Sequence, residues 1–435
     1  MVSQYVTSAA DEADGSELVA ADDRQVVTAV IVSTFFVGFG GGVVFPILPN
    51  LGVVLGISPF MVGLILSANR FTRLFANAPA GIVVDRTGTR APFVTGLLVQ
   101  GVATTGYIVA INSGAPSAWF LLARVLWGVG SAMVFATAYT IAADVSDGGS
   151  RGTNMGLIRG GIIFGFPTGL VVGGVVSEVW GTTAAFVVAA TFAFVASSLA
   201  YLAVPETHVE GGTRRSVEPW DVDTSVPAVT VGIVNFAVLF AYIGVVFATL
   251  VLFLDENGLT VLGFGPQGSS GVFMSLTVVS AAVFMFLSGY VSDRQGSRMP
   301  TVVVFLLVTF VGFVSFAAAD TVPTLAAACV MVGAGQGGTS GPLMALLADL
   351  TPDDRMGRAV GTNNVFGDVG GGLGPMVSLP LVDAVGFRPV YVACAALPLV
   401  AGAVLIAGVY RETGKVLPHV EQPGVADGGE RQSLD

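Results

Sequence analysis

From Gln25 to Tyr410 the chain is a succession of apolar runs, broken only by short polar or turn-forming stretches. A helix of about 20 residues crosses roughly 30 Å of hydrocarbon at 1.5 Å per residue, so runs of that length read as membrane spans. Twelve are present, at 25–48, 59–84, 92–112, 117–143, 153–179, 182–204, 226–254, 267–291, 300–319, 323–349, 358–382 and 387–410. Strands do not fit, because the runs lack the period-2 alternation of a membrane barrel. Composition agrees: 53% of residues are hydrophobic and 11% charged, against about 25% charged in soluble domains. The expected fold class is an all-α membrane protein of twelve transmembrane helices.

One polar stretch occurs twice. Gly81-Ile-Val-Val-Asp85-Arg86-Thr-Gly88-Thr-Arg90 returns 208 positions later as Gly289-Tyr-Val-Ser-Asp293-Arg294-Gln-Gly296-Ser-Arg298, again between two apolar runs. A loop recurring in register marks a duplicated chain. In each copy the first glycine is expected where a helix ends, letting another helix approach closely, and the second supplies a positive-φ turn. The ends of two later runs echo each other as well. Asp144 followed by Arg151-Gly152-Thr-Asn154 matches Asp349 followed by Arg358-Ala-Val-Gly361-Thr-Asn363.

Arg86, Arg90, Arg151, Arg214, Arg215, Arg294, Arg298, Arg355, Arg358, Arg411 and Lys415 all fall in alternate loops or the C-terminal tail, whereas the opposite loops carry only Arg388. That bias puts both termini in the cytoplasm of a cell-membrane protein. Residues 1–24 are acidic and lack the basic start and cleavage site of a secretory signal, so the first run acts as its own insertion signal. Acids gather there, in 205–225 and after Lys415, giving a net charge of −11 that reads as solvated surface. Cys329 and Cys394 are isolated inside apolar runs, and His208 and His419 stand alone in polar segments. Neither a metal site, a cofactor nor a histidine-based reaction is expected from such a set.

Charge inside the spans is rarer and more informative. Asn69, Arg73 and Asn77 follow one another at i, i+4 and i+8 in the second run, with Arg70 beside them, so a polar stripe runs along one helix face. An arginine at that depth costs at least about 2.5–3.5 kcal/mol, which excludes a lipid-facing position. Arg124 in the fourth run and Arg159 in the fifth likewise need internal partners. The first run holds Gly38, Gly40, Gly41 and Gly42 and ends at Pro46 and Pro49, either for close packing or to unwind beside a cavity. The fifth run has Gly165, Pro167, Gly169, Gly173 and Gly174, which imply a hinge or a tight crossing.

With these residues in place the chain resembles the major facilitator superfamily over residues 25–411. The two loops are similar to that family's signature between helices 2 and 3 and its echo between helices 8 and 9. Arg124-Val-Leu-Trp-Gly128-Val-Gly130 resembles its helix-4 motif. The fifth run resembles the Gly/Pro motif of drug/proton antiporters, with Phe166 inserted between Gly165 and Pro167, and the eleventh matches it better at Gly370-Gly371-Gly372-Leu-Gly374-Pro375. The resemblance implies an acidic tail (1–24), a six-helix bundle (25–204), a cytoplasmic linker (205–225), a second bundle (226–411) and a C-terminal tail (412–435). It implies that the bundles rock about a central cavity. It also implies that Asp85, with Arg86 and Arg90, clamps the cytoplasmic side against the start of helix 11 when the cavity faces outward, with Asp293, Arg294 and Arg298 as a second, less critical copy.

A secondary transporter is therefore favoured over a membrane receptor or intramembrane enzyme, either of which needs a catalytic constellation at membrane depth or a sizeable soluble domain. No G-x-x-x-x-G-K-[ST] loop occurs, so ATP does not drive it directly. The leading reading is proton-coupled export of a small, mainly apolar compound from a cavity lined by Phe and Met with Asn69, Asn77, Asn235 and Tyr242. The alternative is uptake of an organic anion, with Arg70, Arg73, Arg124 and Arg159 as counter-charges. The expected partners are the substrate, protons and the lipid bilayer, with no nucleic acid, in a monomer. Aligning the halves on Gly152-Thr-Asn154 and Gly361-Thr-Asn363 places Arg159 on Asp368. Counting rise per residue puts Asp368 at about the depth of Arg73, so Asp368 is expected to pair with Arg73, or with Arg70 one turn further out. Desolvation disfavours a carboxylate whose cation moves away, which makes Asp368 the candidate proton carrier; a permanent structural ion pair is the other reading.

Overall fold

The computed structural model describes residues 25–144, 151–206 and 222–418; the acidic tail, His208, Arg214, Arg215 and His419 lie outside them. Among the described residues there are twelve helical rods and no strand. They are α1 (Gln25–Val54), α2 (Pro59–Thr87), α3 (Arg90–Ile111), α4 (Pro116–Asp144), α5 (Arg151–Trp180), α6 (Thr182–Ala203), α7 (Val226–Asn257), α8 (Pro266–Arg294), α9 (Met299–Ala317), α10 (Val322–Leu350), α11 (Met356–Val385) and α12 (Phe387–Thr413). Ten of these described rods are long and apolar enough to cross a membrane. The other two, α2 and α10, match them in length but spend positions on Asn69, Arg70, Arg73 and Asn77 or on a Gly-rich stretch with Gln336.

The expected end of the first helix near residue 48 is corrected. The rod turns at residues 44–47 and resumes as Leu48–Val54. Pro46 has no N–H to continue the ladder, so short bonds from Phe45 N to Gly42 O and from Ile47 N to Val44 O carry the chain round, and Pro49 sits in the first turn of the new helix, where no donor is needed. The first helix of the second half is also irregular, with a π-helical stretch at Phe240–Phe247. There Ser378 Oγ of α11 donates to Gly244 O at 2.8 Å, and Gly244 lies so close to Gly374 that a Cβ on it would come within 2.4 Å of the Gly374 Cα. A helix pressed this closely, with an outside donor on its carbonyl, tolerates the wider turn.

Within the first half α3 packs on α4 and α6, and α4 on α2; within the second α10 packs on α8 and α9, and α7 and α9 on α12. Only a few elements bridge the halves. α2 runs along α11, α5 along α8, and the Leu48–Val54 piece meets the last turns of α7. The buried apolar residues follow the same plan: one core, from Phe39 through Phe247 to Tyr391, is shared by both halves, while Val26 to Val204 and Ala228 to Val409 form two separate cores nearer the end that carries the termini. The bundles are thus joined at the far end and parted at the terminal end.

Small residues set how closely the rods approach. A Cβ on Gly165 would stand 2.0 Å from Phe35 O, and one on Gly169 2.1 Å from Phe39 O, so α5 lies against α1 with no space for a side chain. The helix runs unbroken through Pro167. A tight crossing, rather than a hinge, is what these residues make here. We predict that Gly169→Val lowers the melting temperature of the purified protein, since overpacking costs typically 1–3 kcal/mol. Gly160→Ala, where nothing lies within 4 Å, is expected to leave it unchanged. A Gly169→Val protein that melts like the wild type would show that α1 and α5 can separate freely.

Candidate functional site

The interface between the halves is built on one repeated pair. In α2, Gly63 abuts the Pro375 carbonyl and Ser67 Oγ donates to Gly372 O; in α8, Gly271 abuts the Leu170 carbonyl and Ser275 Oγ donates to Pro167 O at 2.7 Å. Gly63 and Ser67 recur as Gly271 and Ser275 at the same spacing of 208 as the charged loops. This G-x-x-x-S repeat was legible in the sequence and was missed, because glycine and serine inside apolar runs draw no notice beside arginines.

Two heptads further along the same faces lie Gly81 and Gly289, the first glycines of the charged loops. Neither ends a helix, since α2 and α8 continue to Thr87 and Arg294, and a Cβ on either would meet nothing within 4 Å. Across the seams the expected close approach is therefore corrected for this conformation, although Gly289 does back onto α10, where a Cβ on Gly341 would stand 3.9 Å from the Gly289 Cα. Gly88 and Gly296 do take positive φ, 85° and 66°. The side chains of Asp85 and Arg86 are exposed and form no hydrogen bond or ion pair with a described residue.

The loop is held instead by a residue the sequence reading passed over. Glu206, just beyond α6, accepts from Thr89 N at 2.7 Å and from Arg90 N at 3.4 Å, capping the start of α3. A carboxylate at a helix N-terminus is stabilised by the exposed amides and the helix dipole. Arg90 turns away from Asp85, donating to Tyr201 O at 2.6 Å with its guanidinium over the Tyr201 ring. The second copy is self-contained: Arg298 pairs with Asp293 and, at 3.2 Å, with Asp349. Partial burial works against the Arg298 charge, but these two acids raise its pKa above the ordinary arginine value.

Asp368 lies in the seam between α2 and α11. Its Oδ1 is 2.5 Å from Arg73 Nη2 and 3.3 Å from Arg70 Nη1, and the three side chains are only 14–26% exposed. Arg73 also lies over the Phe135 ring of α4, 5.7 Å from its centroid. The expected pairing is present, with both arginines engaged. Arg159, at the pseudo-equivalent position of α5, is exposed and makes no polar contact with a described residue. The positions of α8 that correspond to Arg70 and Arg73 are Val278 and Ala281, so the second seam has no matching charge pair.

Arg124 is 1% exposed. Its guanidinium donates to Ile65 O at 3.2 Å, to Leu66 O at 3.0 Å and to Asn69 Oδ1 at 2.6 Å, all on α2. Gly128 lets α4 press on Asn69 and Thr72 of α2, while Gly130 meets the Gly96 carbonyl of α3. The Arg-x-x-x-Gly-x-Gly spacing thus serves three helices at once. Asn69 is committed to Arg124, Asn235 donates to Asn363 O at 2.9 Å, and Asn77 is exposed at the open end.

Above the Asp368 pair, towards the far end, aromatic rings from both halves converge. Phe45 at the turn of α1, Phe166 of α5 and Phe247 in the π-helical stretch of α7 have centroids 5.8–6.2 Å apart, and the Tyr242 ring is 4.9 Å from Phe247. Offset and edge-on rings at such distances attract one another as well as exclude water. Phe166 is the residue inserted between Gly165 and Pro167, and here it supplies one wall of the cluster. The two irregular helices, α1 and α7, both contribute at their irregular points.

The profile of the Major Facilitator Superfamily matches residues 30–375 and, overlapping, 264–428. An uncharacterised MFS-type transporter of Methanocaldococcus jannaschii is 23% identical over 87% of this chain and 96% of its own. The multi-drug resistance efflux pump PmrA of Streptococcus pneumoniae is 25% identical over 82% of this chain and 90% of its own. Among solved structures, a bacterial homologue of the human lysosomal transporter Spinster, in an inward-facing and occupied conformation, superposes with a TM-score of 0.75 at 16% identity, covering 92% of this chain and 98% of that one. The chain belongs to the Major Facilitator Superfamily and is a multi-span membrane transporter of small molecules, not an enzyme. For its fourth helix we predict that Arg124→Lys lowers the melting temperature, because an ammonium cannot reproduce the planar fork that reaches three acceptors of α2. Charge-assisted bonds are worth about 1.5–3 kcal/mol each, so an unchanged melting curve would show that these contacts do not bind α4 to α2.

Proposed function

We propose that this member of the Major Facilitator Superfamily exports a small, mainly apolar compound from the cell in exchange for protons, working by alternating access as a monomer in the cell membrane. The termini are taken as cytoplasmic from the arginine bias, so the conformation described above is open to the cytoplasm and sealed outside. The single observation that carries the reading is the carboxylate of Asp368 on two arginines of the opposite bundle.

A proton competes with Arg70 and Arg73 for Asp368. While α2 and α11 are packed, the arginines hold the carboxylate and a proton leaves towards the cytoplasm. When the outer halves of these helices part, Asp368 loses both cations in a poorly hydrated seam and takes a proton from outside. The direction of proton movement that follows is inward, opposite to the substrate. The aromatic cluster of Phe45, Phe166, Tyr242 and Phe247 offers an apolar roof to a compound entering from the cytoplasm, and an apolar contact tolerates varied shapes better than a hydrogen-bonding one. Relatives whose names describe multidrug efflux, such as PmrA, support the same direction.

The test uses membrane vesicles and a fluorescent lipophilic dye. Inside-out vesicles with an acidic lumen are expected to accumulate dye and to release it when the gradient is dissipated. Asp368→Asn is expected to reduce gradient-driven accumulation at least about tenfold, the factor that corresponds to 1.4 kcal/mol of lost coupling. Asp368→Arg combined with Arg73→Asp should restore the seam but not the coupling. Gradient-driven transport that survives Asp368→Asn would leave Asp368 as a structural partner only. Accumulation confined to right-side-out vesicles under an inward proton gradient would overturn export.

A further inference from the structure

We propose that Glu178 is the outer latch of the transport cycle, a residue of the first bundle that caps a helix of the second and is released whenever the outer side opens. The inference rests on the alternating-access reading above. Glu178 lies in the last turn of α5, and its two carboxylate oxygens each take one backbone amide at the start of α8: Oε1 accepts from Gly265 N, and Oε2 accepts from Gly268 N at 2.8 Å. These amides have no partner inside α8, because the first turn of any helix leaves its N–H groups unpaired.

The comparison with α2, the counterpart of α8 in the first half, shows why this is more than a surface contact. α2 is capped by its own sequence: Ser58 accepts from Met61 N. The N-cap residue just before α8 is Gly265, which has no side chain with which to cap. The cap of α8 is therefore supplied from the other bundle, and the site is shaped to receive it. A Cβ on Gly265 would stand 3.2 Å from the Glu178 carboxyl carbon, and one on Gly268 3.1 Å from Oε2. One residue earlier, Ser177 Oγ donates to Gln267 Oε1 at 2.9 Å, and Gly174 leaves no room between α5 and the Gln267 carbonyl. The other seam has nothing of the kind among the described residues: the acid in the last turn of α11, Asp383, is exposed and its side chain meets no described polar group, and α2 is capped by its own Ser58.

Separating α5 from α8 at the outer end breaks both charge-assisted bonds and leaves α8 uncapped. The latch therefore stabilises the cytoplasm-open state alone, and its removal shifts the population towards the outward-open one. Family resemblance gives Asp85 the opposite task at the cytoplasmic side, holding the start of α11 from the end of α2. The two devices use one chemistry, a carboxylate ending one bundle's helix on the N-terminus of a helix in the other, with α5 and α8 in place of α2 and α11.

The test measures the outer gap directly. Spin labels on Trp180→Cys and Leu262→Cys, both exposed in the wild type, report the separation of the bundles in lipid nanodiscs, while the buried Cys329 and Cys394 stay unlabelled. Glu178→Gln is expected to raise the long-distance, outward-open fraction at least about fivefold, the scale of losing one helix cap. Glu178→Asp keeps the charge but reaches one amide at most, and should give an intermediate shift. Glu256→Gln, an exposed acid at the same end of the molecule, should leave the distribution unchanged. Wild-type distributions in both Glu178→Gln and Glu178→Asp would overturn the latch, as would an equal shift in Glu256→Gln. The readout needs neither substrate nor proton gradient, so failure of dye export in the vesicle assay would count against export and not against the latch.

Discussion

A carboxylate and two guanidinium groups cannot sit apart in a hydrocarbon layer, and the organisation of this chain follows from where they meet. Asp368 belongs to one bundle, Arg70 and Arg73 to the other. Each bundle alone would leave an uncompensated charge at membrane depth, at a cost of several kcal/mol. Joining the two offsets that cost only along α2 and α11, and only while those helices touch. The glycine and serine pair at Gly63 and Ser67 is what lets them touch: a larger residue at Gly63 would strike the Pro375 carbonyl. Charge and small size therefore act together, one supplying the attraction and the other the distance at which it works.

Much of this was visible in the sequence, for reasons that can be named. Twelve rods could be counted because crossing hydrocarbon demands length, and in ten of the described rods apolarity as well, whatever the partners are. The Asp368 pairing could be placed because an isolated charge inside a span needs a partner, and rise per residue limits which partner lies at its depth. Glu178, Glu206 and the ring cluster had no comparable signal. Glu178 ends an apolar run, where an acid is ordinary; its meaning lies in Gly265 having no side chain, eighty-seven residues later. Phe45, Phe166 and Phe247 are three of many phenylalanines, and hydropathy records that a ring leaves water without recording which rings meet. The turn in α1 was misread as an end because Pro46 and Pro49 stop one helix and start another equally well.

The duplication explains the framework and the departures from it explain direction. Gly63 and Ser67 are matched by Gly271 and Ser275, so both seams can close to the same distance. Their chemistry then diverges. Among the described residues, the α2–α11 seam carries the ion pair midway along and no cap from the opposite bundle at its far end; the α5–α8 seam carries the Glu178 cap at its far end, and Arg159, nearer the end that carries the termini, makes no polar contact with a described residue. A symmetric pair of seams would favour neither end state. Placing the strongest polar contact of each seam at a different depth makes the two ends of the molecule open for different reasons.

That division has a consequence for coupling. In the proposed cycle the outer side opens only after two separate sets of bonds are broken, the arginines on Asp368 and the amides on Glu178. The first set is replaced by a proton, because a neutral Asp368 no longer needs a cation in a poorly hydrated seam. The second set has no replacement beyond water at the membrane surface. Protonation therefore stabilises the outward-open state at one seam once that state is reached, while the Glu178 cap at the other holds the cavity towards the cytoplasm before it opens. In the proposed cycle the transporter waits open to the compartment from which it loads substrate, and the proton that replaces the arginines arrives from outside only after the outer side has opened.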